Sequence, residues 1–259
     1  MRRRTVRTIL GGSGAQRSTG RAPSRLARKR FHALPVAAAA MTLLNASSAN
    51  AAVIWNGDAS NGSGAFGTFL CDAPSYITTP DWGDGRGKIW AVTKKAGSDR
   101  CELHNVRLNG TEYAYSPGRA YWFGWESMTS TDNAATVFQW KSQGPTHQQN
   151  YPILMAVSES RLKVWYVAPG QVWHDVGSIP WKPQTWHRIE LGINVQSGTN
   201  GGFEVWLDGQ RFVNAGNART WDDTGNKPRW GTYGSSILNQ DSVNWINDLK
   251  MGDTRGDVD

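Results

Sequence analysis

Short runs of apolar and polar residues recur along the chain after residue 86, with Gly, Asn, Asp and Pro between them. Alternating apolar positions are typical of strands with one buried face, and the residues between the runs favour turns. No segment shows the sustained 3.6-residue period of an amphipathic helix. We therefore predict an all-β fold, a jelly-roll sandwich of two antiparallel sheets. The predicted strands are 87–94, 100–108, 120–128, 135–142, 151–157, 161–167, 187–195, 202–207, 210–214, 229–235 and 243–251.

The clearest local prediction is a tight hairpin at Asp208-Gly209. These two residues separate the strand-like runs FEVWL and QRFV. Both central positions of the favoured two-residue hairpin turn need a positive φ, which Asp and Gly tolerate. The sequence therefore predicts that the runs on either side pair as antiparallel neighbours.

The first 51 residues differ from the rest of the chain. They contain ten Lys or Arg and no Asp or Glu, then an Ala-rich apolar run and the small-x-small site Ala49-Asn50-Ala51. This is the pattern of a signal peptide. We expect a secreted, extracellular protein in which residues 52–259 form a single domain. Arginine clusters at 2–4 and 28–30 leave both the general and the twin-arginine export routes open.

The basic balance of the chain comes from this leader. The whole chain has 28 Lys or Arg and 21 Asp or Glu, a net charge of +7, but only 18 basic residues follow residue 51. That balance does not fit a nucleic-acid binder, and the leader's apolar run is too short for a good membrane anchor. A polyanion would have to bind at a local cluster of cations. We expect a monomer without nucleic-acid or membrane partners.

Cysteine and tryptophan usage adds two expectations. Cys71 and Cys101 are the only cysteines. In an exported protein such a pair favours a disulfide, although two buried free thiols would also fit. All 14 Trp follow residue 51, which suggests that some indoles fill the core while others stack on sugar rings.

Two predicted strands carry polar residues with the period of a strand. Arg100, Glu102 and His104 project to one face of the first, because successive side chains point to opposite faces. Gln139 and Lys141 share a face of the second in the same way, opposite Phe138 and Trp140, and a polar loop containing His147, Gln148 and Asn150 follows. The alternative interpretation is an ordinary solvated strand face and loop.

A third polar stretch begins at Lys227. Arg229, Gly231 and Tyr233 share a face, and the glycine leaves open space where a ligand could approach the backbone. A cation near a tyrosine lowers the pKa of its hydroxyl. A buried tyrosine with a satisfied hydroxyl is the alternative. His187 we interpret as structural, because it begins an alternating apolar strand.

Several catalytic signatures are missing from the sequence. It has no HExxH zinc motif, no GxSxG elbow and no phosphate-binding glycine loop. A glycoside hydrolase needs two facing carboxylates. Its candidates do not form a tight cluster: Glu102, Glu126, Glu190 and Glu204.

In chain order, the first two polar stretches resemble motifs of the alginate lyase and heparin-lyase-like superfamily of jelly-roll polysaccharide lyases. The first stretch is similar to R-x-E-L-R, with His104 in place of the last Arg. The second is similar to Q-I/V-H through Gln139, with Trp140 at the aliphatic position and Lys141 in place of His.

The third stretch completes the resemblance. It is similar to Y-F-K-A-G-x-Y through Gly231 and Tyr233, with Arg229 at the Lys position. The runs YWFGWE at 121–126 and GGFEVWLDG at 201–209 look like the heparin lyase I-like branch and the glucuronan lyases. The resemblance implies a concanavalin-like jelly roll and a lyase acting on an acidic polysaccharide.

The implied reaction is β-elimination at a 4-linked or 3-linked uronic acid. The proton at C5 is removed, the glycosidic oxygen at C4 leaves, and an unsaturated uronosyl end results. The C5–H is a poor acid while the neighbouring carboxylate is ionised, so donors must neutralise that carboxylate. The resemblance suggests Gln139 and Arg100 for this role, assisted by Lys141 or His104.

The same resemblance suggests Tyr233 as both general base and general acid, with His147 as a second candidate base. It implies no redox or metal cofactor, while a structural calcium near Asp248 or Asp222–Asp223 stays open. A non-catalytic carbohydrate-binding sandwich or lectin, and a jelly-roll glycoside hydrolase, are the alternative functions. The expected substrate contacts are Arg229, Lys227, Gln148, Asn150, Glu102 and Trp140.

Overall fold

The computed structural model describes residues 52–259, which fold into two stacked β-sheets. The predicted signal peptide, 1–51, lies outside the described residues. The strands are β1 Val53–Asn56, β2 Phe66–Cys71, β3 Tyr76–Thr78, β4 Trp90–Lys94, β5 Arg100–Leu108, β6 Thr111–Glu112, β7 Ala120–Thr129, β8 Ala135–Ser142, β9 Ile153–Ser158, β10 Arg161–Ala168, β11 Val172–Pro180, β12 His187–Asn194, β13 Gly201–Leu207, β14 Gln210–Ala218, β15 Asn226–Tyr233 and β16 Ser242–Gly252.

The chain crosses between the two sheets several times, in a jelly-roll order. The back sheet runs β14-β13-β12-β7-β16-β4-β3, with β1 paired to β16. The front sheet runs β11-β10-β9-β8-β15-β5-β2, with β6 paired to β5. Strands far apart in sequence, such as β7 and β16 or β5 and β15, are antiparallel neighbours. The prediction of an all-β jelly roll of two antiparallel sheets is confirmed.

The helical elements among residues 52–259 are single 3-10 turns, at Ala59–Asn61, Ser63–Ala65, Ser235–Ile237 and Arg255–Asp257. No helix in this part of the chain has the length and apolar character needed to cross a bilayer. The predicted hairpin is present, with φ of 50° at Asp208 and 79° at Gly209.

Large aromatic side chains fill the space between the sheets. Trp90, Trp125, Trp140 and Trp230 are all fully buried. Trp125 stacks on Phe138 with ring centroids 5.4 Å apart. A buried indole needs a partner for its N–H, and Trp140 donates to the Thr220 carbonyl at 2.8 Å. These rings pack closely against the inner face of the front sheet. Its outer face is therefore the one that can present polar side chains to a ligand.

Cys71 and Cys101 form a disulfide, as predicted. They lie directly opposite each other on β2 and β5. A bridge across a sequence separation of 30 residues stabilises the fold by about 3–4 kcal/mol in the chain-entropy picture. Because Cys101 lies between Arg100 and Glu102, the bridge also fixes the strand that carries the first polar stretch.

Five strands were not predicted from the sequence: β1, β2, β3, β6 and β11. The strand β11, at the edge of the front sheet, shows why. Its residues Val172 to Asp175 are all exposed, and the remainder is only partly buried. A strand without a buried face lacks the alternation that marks strands in a sequence.

Candidate active site

The three polar stretches lie on adjacent strands of the front sheet. In the register of the sheet, Arg229 on β15 is paired with His104 on β5 and with Gln139 on β8. Tyr233 is paired with Arg100 in the same ladder. The residues next to them along each strand are buried in the core between the sheets. Because successive side chains of a strand point to opposite faces, these polar side chains point outwards. We call the resulting group the polar patch: Arg100, Glu102, His104, Gln139, Lys141, Arg229 and Tyr233.

Glu102 lies at the base of the polar patch. It is 2% exposed, and its Oε2 lies 3.6 Å from Nη1 of Arg229. The Gln139 amide nitrogen donates a hydrogen bond to Oε1 of Glu102. Burial raises the pKa of Glu102, and the guanidinium of Arg229 opposes that rise. Glu102 was expected to contact substrate, but its burial makes it a support that orients Arg229 and Gln139.

Gln139 is itself only 1% exposed. Its Oε1 has no hydrogen-bond partner within residues 52–259. The amide therefore lies one layer below the surface of the patch, with its nitrogen bonded to Glu102. The cations of the patch are Arg100, Lys141 and the largely buried Arg229.

Those three cations differ in their surroundings. The Arg100 guanidinium lies over the Tyr233 ring, with Cζ 4.6 Å from the centroid, and its Nε is 3.7 Å from Asp72 Oδ2. Burial, followed by repulsion from Arg229, lowers the pKa of Lys141 to about 8. Burial also lowers the pKa of Arg229. Crowded, partly desolvated cations of this kind favour an anionic ligand that neutralises them.

His104 is held as a neutral imidazole. Burial lowers its pKa to about 3, and the nearby charges of Arg229, Lys227 and Lys141 act in the same direction. Its Nε2 is buried without a hydrogen-bond partner in the described part of the chain. The neutral ring can accept a proton, but the lowered pKa makes it a weaker proton acceptor than an ordinary histidine.

Tyr233 and His104 lie on either side of Gly231 along the paired ladder of β15 and β5. They lie four residues apart in the paired ladder, which corresponds to about 13 Å along the strands. Gly231, paired with Glu102, lies between them. A Cβ at Gly231 would collide with the Cys101 carbonyl oxygen of the neighbouring strand, so only glycine fits at this position.

A cavity of about 320 Å³ opens beside Tyr233 on the same face. Its walls include three aromatic side chains that the sequence analysis did not single out as site residues, Tyr151, Trp165 and Trp173. Tyr151 precedes β9, Trp165 lies on β10 and Trp173 on β11. These strands lie next to each other in the front sheet, on the side of β8 opposite β15. No local sequence signal identifies them as a group, because they meet only through the pairing of β9, β10 and β11.

Trp140 does not line this site. It was expected to contact substrate, but it is fully buried on the core side of β8 and its indole nitrogen is bonded to Thr220. A strand's alternation places it opposite Gln139 and Lys141. Its physical role is core packing beneath the patch.

The polar loop after β8 is anchored away from the polar patch. Gln148 Oε1 accepts from Arg219 at 3.0 Å, and its amide nitrogen donates to Asp223 at 3.2 Å. The His147 ring contacts the Gly144 carbonyl of its own loop at 3.2 Å. Within the described part of the chain, His147 forms no hydrogen bond with Tyr233.

Asn150 and Lys227 lie closer to the patch. The Asn150 Oδ1 atom is buried without a hydrogen-bond partner among the described residues, next to the cavity residue Tyr151. Lys227 is paired in register with Lys141 on β8 and forms an ion pair with Glu112. Lys227 therefore contributes positive potential near His104 while its own charge is already partnered.

The aspartates considered for calcium are bonded to protein donors. Asp222 Oδ2 accepts from the backbone N–H groups of Gln148 and Gln149 at 2.9 and 2.8 Å. Asp248 Oδ2 lies 2.9 Å from Arg188 and 3.0 Å from Lys250. Within residues 52–259, no group of three or more His, Cys, Asp or Glu side chains is placed to hold a metal ion.

Solved structures share this architecture at low sequence identity. The endo-β-1,4-glucuronan lyase from the fungus Trichoderma reesei matches with a TM-score of 0.65 and 18% identity, covering 80% of this chain and 98% of its own. The alginate lyase AlgAT5 from polysaccharide lyase family 7 matches with a TM-score of 0.51, 14% identity, and coverage of 68% and 81%. An alginate lyase from Corynebacterium sp. gives 0.50, 12%, 70% and 82%.

At these identities the structural matches show a common fold, and a fold by itself does not fix a substrate. No curated protein matches the chain significantly. Residues 66–250, most of the chain and nearly all of both sheets, match the family model described as Polysaccharide lyase. The chain therefore belongs to the polysaccharide lyase family and is an enzyme of that class.

Proposed function

We propose that this lyase cleaves a uronic-acid polysaccharide by β-elimination, outside the cell as its predicted leader suggests. The observation that carries the proposal is the convergence of three cations on a phenol and a neutral imidazole at one place on the front sheet. Arg229, Arg100 and Lys141 all lie close enough to lower the pKa of Glu102. The same arrangement can neutralise the carboxylate of a sugar acid.

Neutralising that carboxylate is the first requirement of the reaction. Removing the C5 proton places negative charge on the carbon and, by delocalisation, on the carboxylate oxygens. Preorganised donors aimed at such developing charge are worth several kcal/mol. Arg229 is prearranged for this because Glu102 holds its guanidinium, and Arg100 is prearranged by its stacking on Tyr233.

The proton transfers use the groups that flank Gly231. The base takes the hydrogen from C5, the electron pair forms the C4–C5 double bond, and the C4–O bond breaks. Tyr233 protonates the leaving oxygen. Where the C5 hydrogen lies on the same side of the sugar as that oxygen, Tyr233 acts first as the phenolate, takes this proton and then passes it to the leaving oxygen. Where the hydrogen lies on the opposite side, His104 takes it and neutral Tyr233 donates its own proton.

The polar patch is a poor arrangement for hydrolysis. A glycoside hydrolase places two carboxyl groups on either side of the glycosidic bond. The one carboxylate in the patch is Glu102, which is buried and paired with Arg229. Its burial favours elimination over hydrolysis as the reaction of this site.

The experiment is to incubate the protein with glucuronan, alginate, heparin and related uronans and to follow ultraviolet absorbance from the conjugated product. At least one uronan should give a steady rise in absorbance. A folded protein that gives no absorbance on any uronan would contradict the proposal. If such a protein binds a uronan, a carbohydrate-binding role would replace it.

A further inference from the structure

Three aromatic side chains near Tyr233 have no part in the proposed reaction. Tyr151, Trp165 and Trp173 line the cavity of about 320 Å³ beside it. The Trp173 ring centroid lies 5.2 Å from that of Tyr151 and 6.4 Å from that of Trp165. They form a contiguous aromatic wall of a cavity whose lining also includes Tyr233 of the polar patch.

Trp173 is the most exposed part of this wall. Its side chain is 48% exposed on β11, an edge strand. A single exposed apolar residue is ordinary on a protein surface. Here the exposed indole contacts two further aromatic rings on the wall of a cavity that also contains the candidate acid, Tyr233. This arrangement is expected where a ligand covers the exposed face of the indole.

The chemistry of the cavity differs from that of the polar patch. None of its lining residues carries a charged side chain. The polar groups at its edge are hydroxyl and amide groups, including Ser235, Ser236, Ser158 and Asn133. Such a surface can stack on the C–H face of a sugar ring and bond its hydroxyls, but it has no cation to bind a carboxylate.

We infer that Tyr151, Trp165 and Trp173 form a stacking subsite for a pyranose residue of the polymer adjacent to the one that reacts. This inference rests on the proposed function, because it takes the polar patch as the reaction centre. Without a cation in the cavity, the subsite accepts a sugar whether or not it carries a carboxylate. It thereby tolerates a neutral sugar next to the uronic acid that is cleaved.

The test compares Trp173→Ala with Val172→Ala. Val172 is the adjacent residue, is 51% exposed, and points to the opposite face of β11. On the polymer that gives product, Trp173→Ala should raise KM about tenfold, equivalent to about 1.4 kcal/mol of binding. We expect kcat to change less than twofold and Trp173→Tyr to restore most of the loss. Val172→Ala should match the unmodified protein.

Oligosaccharides of increasing length give a second readout. For the unmodified protein, kcat/KM should rise once the oligosaccharide is long enough to reach the aromatic wall. Trp173→Ala should remove that rise and leave the shortest cleaved oligosaccharide unaffected. A KM within twofold of the unmodified value for folded Trp173→Ala, or an equal loss in Val172→Ala, would overturn the subsite. Trp173→Gln takes its place if the alanine variant does not fold.

Failure of the reaction and failure of the subsite give different results. Affinity electrophoresis in gels containing glucuronan or alginate measures binding without turnover. If no polymer gives unsaturated ends, the proposed reaction fails, and weaker retardation of Trp173→Ala than of Val172→Ala still supports the subsite. Equal retardation of the two variants in a gel that slows the unmodified protein would refute it.

Discussion

The buried carboxylate of Glu102 lies 3.6 Å from the guanidinium of Arg229. The pair connects two neighbouring strands beneath the polar patch, and both side chains are largely shielded from water. An ion pair of this kind is costly to form, and removing one partner leaves the other charge buried without compensation. The pair therefore holds Arg229 in position, and we expect stability and activity to depend on it.

We expect Glu102→Gln to reduce the free energy of unfolding by about 3–5 kcal/mol, because Arg229 then remains buried without a counter-charge. We expect kcat/KM to fall about 100-fold, or by about 2.7 kcal/mol. Denaturant unfolding and steady-state kinetics measure the two effects. The matched control is Glu112→Gln, in the exposed pair with Lys227, which should cost less than about 1 kcal/mol. Equal effects of both substitutions would contradict the role of Glu102.

We expect substrate binding to weaken at alkaline pH as Lys141 loses its charge. Burial, with repulsion from Arg229, lowers its pKa to about 8, so the cation is lost above that pH. KM for an anionic polymer should therefore rise several-fold between pH 8 and pH 10. Arginine stays charged throughout this range, so Lys141→Arg should move the rise to higher pH. The same KM profile in both proteins would show that Lys141 does not bind the substrate carboxylate.

His104 makes the fold sensitive to acid. Its pKa is about 3 in the folded protein, against 6.5 for an unperturbed histidine, mainly because of burial. Between these values the unfolded chain binds a proton that the folded chain does not, so stability falls as pH falls below 6.5. At pH 5 this effect should cost at most about 2 kcal/mol relative to pH 8.

The comparison variant is His104→Gln. It lacks the titrating group, so the difference between its unfolding free energies at pH 8 and pH 5 should be smaller than in the unmodified protein. Thermal or denaturant unfolding at both pH values measures this difference. An identical pH dependence in the two proteins would mean that His104 is not held neutral by the fold.

Asp222 anchors the loop after β8. It is fully buried and accepts the backbone N–H groups of Gln148 and Gln149. Asp222→Ala should cost about 1–3 kcal/mol for each buried donor left unsatisfied. Asp223→Asn is the control, since its carboxylate is 66% exposed in its pair with Arg219. Thermal unfolding that does not distinguish the two variants would remove the anchoring role.

The parts of the site that could be predicted from sequence are those set by local alternation. Arg100, Glu102 and His104 share the outer face because side chains alternate along a strand, and this rule needs no knowledge of neighbouring strands. The same rule placed Phe138 and Trp140 opposite Gln139 and Lys141, and both are buried. Interpreting Trp140 as a substrate contact gave too much weight to its residue type and too little to its face.

The parts that could not be predicted depend on contacts between distant segments. Asp222 meets Gln149 across 73 residues, and nothing in either local sequence indicates that contact. Trp173 lies on an exposed edge strand that has no apolar alternation. Its meeting with Tyr151 depends on the pairing of β9, β10 and β11, which is fixed only when the sheet forms.

Elimination is tested most directly by the chain ends formed in water enriched in heavy oxygen. Elimination breaks the C4–O bond without adding water, so mass spectrometry should show unsaturated ends and no incorporated heavy oxygen. Tyr233→Phe should still bind the polymer but form no new ends. Saturated new non-reducing ends, with one heavy oxygen at the new reducing end, would mean hydrolysis, and undiminished cleavage by Tyr233→Phe would remove Tyr233 from the reaction; either result would contradict this account.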